Sequence, residues 1–231
     1  MARHQRFDSD RRKLLNAGLY FIGTIAVGGY LAYDSIRSPD FREAYENEKL
    51  RHKWADGLET RKYARIMIAT PAVLEELKNS KNYTPPKGAF AATFPVDESR
   101  IGSGSRSIVY VFPECFAPAY KEHISDIGII IENVIENHEL VHANHYYQGI
   151  PGFPLSLFQR KDSTLDNNLF TIASEIIAHK SEFLGLQNAK SGFVAKYRDG
   201  LRALANNHLC TLHSLTNDRS LIERLELEAR F

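Results

Sequence analysis

The chain has 231 residues, 43% hydrophobic and 25% charged, which suits a folded protein and excludes a wholly disordered chain, a collagen or a coiled-coil rod. Lys and Arg total 29 against 28 Asp and Glu, so no basic excess advertises a nucleic-acid partner. Two cysteines, Cys115 and Cys210, are too few for a disulfide framework or a cysteine zinc site; they form one bridge in an oxidising compartment or remain free thiols.

Residues Leu14 to Tyr33 run for 20 positions without a charge, enough helix to span about 30 Å of hydrocarbon. Arg3, Arg6, Arg11, Arg12 and Lys13 precede this run, and Asp34, Asp40, Glu43, Glu46 and Glu48 follow it among fewer bases. The positive flank stays cytoplasmic, so the C-terminal bulk is expected outside, in the periplasm, at the exterior or in an organelle compartment. The stretch Asp10 to Leu15, DRRKLL, also resembles a twin-arginine export signal, but no small-x-small cleavage site follows it, which favours an uncleaved signal anchor.

Residues 37 to about 66 are rich in charge and helix formers and read as a helix, a stalk on the membrane. Pro71 starts a second helical stretch, and the prolines and glycine of Tyr83 to Gly88 make a loop. Residues 89–95 and 107–112 are strand-like, rich in aromatic and β-branched types, with a flexible turn between them. Ser125 is placed to cap a long helix to about Gln148, ended by Gly149 and Pro151. Ser163 or Thr164 caps the next helix, roughly 165–188, whose buried face carries Leu165, Leu169, Ile172 and Ile176. Ser220 and Glu223 form a capping-box pattern ahead of a final helix.

The long helix contains His138-Glu139-Leu140-Val141-His142, an HExxH motif. Residues four apart share one face, so the two imidazoles converge on a single metal, and Glu139 beside them reaches a metal-bound water without having to ligate. Zinc lowers the pKa of that water and polarises a carbonyl, while Glu139 takes the proton. A catalytic zinc wants three protein ligands and an open position. The metzincin extension fails, because His145 stands at its glycine position and Gln148 at its last ligand position. Glu175, 33 residues after His142, is a better third ligand: a lone carboxylate in an apolar helix is costly unless paired or bound to metal.

With these residues the chain resembles the gluzincin-type zinc metallopeptidases over about residues 126–179, at the level of the motif. The resemblance implies an α+β, zincin-like fold, a small mixed sheet packed on the HExxH helix and a following ligand helix. It implies His138, His142 and Glu175 as ligands of one catalytic Zn2+, and Glu139 as general base. It implies a sheet edge that pairs with an extended peptide or protein substrate, for which 107–112 is the candidate. Many gluzincins carry an Asp four residues after the ligand Glu; here His179 stands there, either in a variant of that orienting role or at the surface. Glu182, seven residues after Glu175, is expected to lie too far from the histidines to matter. Tyr197, His208 and His213 qualify by type as oxyanion donors, and His145 is expected at the cleft edge.

The organisation that follows is a basic cytoplasmic segment 1–13, a transmembrane anchor 14–33, a helical stalk or linker 34–70 and a zinc metallopeptidase-like domain 71–231. The expected activity is zinc metalloendopeptidase; the alternative is an inactive zincin-like membrane protein acting in binding or assembly, although all four motif residues are present.

Overall fold

The computed structural model describes residues 62–81, 83–85, 89–112, 124–158 and 163–231. The expected anchor 14–33, the basic segment before it, the stalk up to residue 61 and Cys115 lie outside these residues. Among the described residues, no helix is long and apolar enough to cross a membrane.

The architecture is α+β. Strand β1 (Ala64–Ile68) leads into helix α1 (Pro71–Lys81), then strand β2 (Ala91–Pro95) and strand β3 (Ser107–Val111). Thr70 Oγ1 accepts from the Val73 amide at 3.3 Å, and Pro71, which has no N–H to leave unpaired, occupies the first helical position. β1 is parallel to β3 and β2 antiparallel to it, in the order β1-β3-β2. Two expectations are corrected here. Residues 64–66, read as the end of the stalk helix, are strand, because pairing along β3, anchored by the fully buried Ala64, outweighs their helix formers; the sheet therefore begins before residue 71. The 107–112 segment is the centre of the sheet, and its strand β3 buries Ser107, Val109 and Val111, so the edges of the described sheet are β1 and β2.

One face of the sheet, with Ala91, Val109 and Val111, packs on Ile130, Ile131, Val134, Ile135 and Leu140 of the motif helix. The opposite face, with Ala92, Phe94 and Tyr110, packs on Leu77, Tyr83 and Phe112. The motif helix comprises α2 (Ile124–Val134), a π-helical turn (Ile135–Glu139) and α3 (Leu140–Gln148), where a uniform α-helix was expected. Gly149 ends it as predicted, with φ of 85° and its N–H on the His145 carbonyl at 2.8 Å.

Helix α4 (Ser163–Gly185) follows, then α5 (Gly192–Leu215) and α6 (Arg219–Glu228). α5 has no counterpart in the sequence reading; Gly192, Gly200 and the Asn206-Asn207 pair obscure it, yet Val194, Tyr197, Leu201, Ala205 and Leu212 recur on its buried face. α6 is capped by Asp218, whose Oδ1 accepts from the Leu221 amide at 3.1 Å, not by the expected Ser220. α3 to α6 enclose a second apolar cluster of Leu169, Ile172, Ile176, Leu212, Leu221 and Leu225. The polar residues of the motif lie between the two clusters.

Gly185 sets how closely α4 approaches the motif helix. A Cβ there would collide with the Asn133 and Asn137 side chains. The close approach lets Asn133 Nδ2 donate to the Glu182 carbonyl at 2.9 Å. Helix propensity alone would make Gly185→Ala stabilising by about 1 kcal/mol. The crowding reverses the sign, and a net destabilisation of about 1–3 kcal/mol is expected, measured as a lowered urea midpoint at unchanged slope.

Candidate metal centre

His138 and Glu139 lie in the π turn, whose signature is the Leu140 amide bonding the Ile135 carbonyl. Such turns widen a helix by one residue and are frequent at functional sites. Across from them, α4 presents Glu175, His179 and Glu182 on one face, spaced at four and then three residues. All five side chains are buried.

The three residues predicted as ligands come together. His138 Nε2 and His142 Nε2 are 3.1 Å apart. His138 Nε2 lies 3.4 Å from Glu175 Oε2, and His142 Nε2 lies 3.4 Å from Glu175 Oε1. Glu175 is 3% exposed, not a solvated helix residue. Among the described residues this trio forms one group of donors able to hold a metal ion; His138, His179 and Glu182 form a second, and Glu175, His179 and His208 a third.

The far nitrogen of each motif histidine faces a polar side chain. His142 Nδ1 and His145 Nδ1 lie 2.7 and 2.8 Å from the Ser174 hydroxyl. One set of protons satisfies both contacts: His142 Nδ1–H donates to Ser174, and Ser174 donates on to His145, leaving the His142 Nε2 lone pair directed at the trio. His145 is thus buried behind His142 rather than lining a cleft edge. His138 Nδ1 lies 3.0 Å from Glu182 Oε2. Glu182 Oε1 accepts from the Tyr197 hydroxyl at 2.5 Å.

The expectation for Glu182 is therefore corrected: it is fully buried and touches a motif histidine. Its position three residues after His179, on the face of Glu175, was the signal available. Tyr197 is committed to Glu182, and His213 is half-exposed and paired with Glu226 at 3.2 Å, whereas His208 stacks on His179 with ring centres 5.4 Å apart. Thr93 of β2 was not anticipated. Its hydroxyl is 2.7 Å from Glu139 Oε2 and 3.0 Å from the Glu139 carbonyl oxygen.

Electrostatics follow from burial. Burial favours neutral His138, but the Glu175 and Glu182 carboxylates outweigh it and hold its pKa well above the ordinary value. Burial likewise opposes ionisation of Glu175, yet His142 and His138 hold its pKa well below the usual range; Glu182, also flanked by His138 and His179, is lowered to about 2. Glu139 moves the other way: burial raises it, against His138, His142 and Thr93. His145 and His208 are lowered to about 3 and about 4, and His179 is lowered too, each mainly by burial.

No family model, curated protein or solved structure matches the chain.

These shifts set an acid limit for the metal-free protein. Between about pH 6.5 and 4.5, unfolded histidines take up protons that folded His145, His179 and His208 refuse, so stability falls on acidification. The His138 contribution is complete below its ordinary pKa, and that of Glu182 is lost only as pH falls below about 4.5, so neither changes within this window; Glu139, whose pKa burial raises, takes up a proton on folding there and opposes the decline, one group against three. Thermal unfolding in chelator should show a falling midpoint across this window; a flat profile would contradict the assignment of buried neutral rings.

Proposed function

We propose that the chain is a zinc-dependent metallopeptidase of the gluzincin type, anchored to a membrane by residues 14–33 with its catalytic domain outside the cytoplasm. The observation that carries this reading is the convergence of His138, His142 and Glu175: the two Nε2 atoms are 3.1 Å apart, and each lies 3.4 Å from one oxygen of the Glu175 carboxylate, Oε2 for His138 and Oε1 for His142. A tetrahedral zinc with bonds of about 2.0–2.1 Å separates its ligand atoms by about 3.3–3.4 Å. Two imidazoles and one carboxylate are a donor set suited to zinc, and three protein ligands leave a fourth position for substrate or water. The partners of the far nitrogens fit as well, since ligating histidines usually donate their other N–H to a fixed acceptor.

In this reading zinc supplies Lewis acidity, polarising the scissile carbonyl and making bound water acidic. His138, His142 and Glu175 hold the ion. Glu182 and Ser174 fix the tautomer and ring orientation of His138 and His142. Glu139 accepts the proton of the attacking water, and burial suits it by raising its proton affinity toward working pH. Thr93 follows that proton. Its single hydroxyl hydrogen serves two acceptors while Glu139 is ionised. Once Glu139 is protonated, the carboxyl donates to Thr93 Oγ1, and the hydroxyl hydrogen is free for the Glu139 carbonyl. The same threonine thus holds the base in both states.

β2 supports a peptide substrate. It is an edge of the described sheet, and its Thr93 touches the base, so an extended chain added along β2 would run past Glu139.

Glu139→Gln should retain metal and fold while peptide cleavage falls by about 10²–10⁴, the range for loss of a general base. Unchanged cleavage of a peptide library would remove Glu139 from the chemistry. For the metal shell, Glu175→Ala should abolish tight zinc binding and lose the stabilisation that zinc gives the folded state. Glu182→Gln should weaken zinc by about 10–100-fold without abolishing it. Competition against a chromophoric chelator separates the two, and full zinc affinity in Glu175→Ala would sink the gluzincin assignment.

A further inference from the structure

We infer that Glu175 bridges two metal ions, and that His179 and His208 complete a second divalent-metal site beside the first. This rests on the metal-centre reading above and deepens it. Donor atoms of Glu175, His179 and His208 lie within 4.8 Å of one another, and Glu175 is common to this group and to the His138–His142 group. A carboxylate has two oxygens and so can serve both ions, as in two-metal hydrolytic sites with ions about 3.5–4 Å apart.

His179 is held as His138 is held. Each ring lies between the same two carboxylates. His138 presents Nδ1 to Glu182 Oε2 at 3.0 Å and Nε2 to Glu175 Oε2 at 3.4 Å; His179 does so at 3.7 and 3.8 Å. A histidine with one nitrogen facing a carboxylate and the other facing a metal carboxylate is placed as a ligand, and the 3.7 Å to Glu182 need shorten only slightly to become a hydrogen bond. His138 Nδ1, His179 Nδ1 and Glu182 Oε2 are all fully buried without a well-aligned hydrogen bond, a costly state for the whole cluster that metal binding at the two Nε2 atoms would relieve by fixing both Nδ1–H groups toward Glu182. The remaining combination, His138 with His179 and Glu182, would require His138 to ligate through both ring nitrogens as an imidazolate, so Glu182 serves to orient the two rings instead.

Charge points the same way. Glu139, Glu175 and Glu182 are buried together, and no Lys or Arg is buried among the described residues. Taken as ionised, the three carboxylates exceed the charge of one divalent ion by one. A second ion removes that excess and leaves a net positive charge, suited to an anionic or strongly polarised substrate group. His208, of intermediate burial, is the most exposed residue of this group.

The test uses the full-length protein, purified free of metal, loaded with excess Zn2+ or Mn2+ and desalted. Elemental analysis should give two ions per chain in the wild type and one in His208→Gln and in His179→Gln. Paramagnetic resonance of the Mn2+ form should show spin-coupled ions in the wild type and isolated ions in the variants. One ion per wild-type chain, without coupling, overturns the second site and leaves the first standing; no retained metal overturns both. Two coupled ions persisting in both variants overturn His179 and His208 as ligands. Should a variant fail to fold, the wild-type stoichiometry and coupling decide the matter.

Discussion

Three carboxylates inside an apolar helical core are the constraint on which this fold turns. Burying an ionised carboxylate costs several kcal/mol unless its charge is answered nearby. Here the answering groups are imidazoles, His138 and His179 each between Glu175 and Glu182 and His142 beside Glu175, and no lysine or arginine is buried among the described residues. The two apolar clusters can meet only where this polar seam is satisfied. Packing and electrostatics therefore fix the same geometry: α4 must lie close enough for Glu175 and Glu182 to reach the motif helix, and Gly185 makes that approach possible.

The supporting shell draws on every layer. β2 contributes Thr93 to Glu139, α4 contributes Ser174 to His142 and Glu182 to His138, and α5 holds Glu182 through Tyr197. A metal site kept in place by partners on separate elements loses little geometry to the thermal motion of any one of them. It also ties the sheet to the candidate centre through a single short strand, because β2, at one edge, carries the residue that touches Glu139.

Much of the centre was legible in the sequence because helical periodicity is local. The spacing of His138 and His142, and the isolation of Glu175 among apolar neighbours, are statements about one helix at a time. The part that was not legible depends on how elements meet. Thr93 lies 46 positions from Glu139, and no local pattern marks a threonine in a strand as a partner of a carboxylate. Glu182 was misjudged because distance along α4 was read as distance from the motif, whereas the two helices run close together over that stretch. In the fold, the mixed α+β composition was legible, and Pro71 and Gly149 marked one helix start and one helix end, whereas the serine caps were misplaced by a residue or two and α5 was missed. The order of the strands did not: β3 follows β2 in the chain yet sits at the centre, since its neighbour on the other side is β1, a segment whose charged surroundings read as helix.

The π turn has a consequence of another kind. The motif depends on a helix that carries one residue more than a regular turn would hold. Removing any single residue from Ile135–Glu139 would restore uniform winding and turn the segments on either side by about 100° relative to each other. Nothing in composition, charge or hydropathy would register the loss, yet His138 and His142 could no longer keep their present relation to both the sheet and α4. The centre is therefore more vulnerable to a change in chain length than to most substitutions, and related chains that keep it would be expected to vary freely in side chains around this turn while holding its residue count fixed.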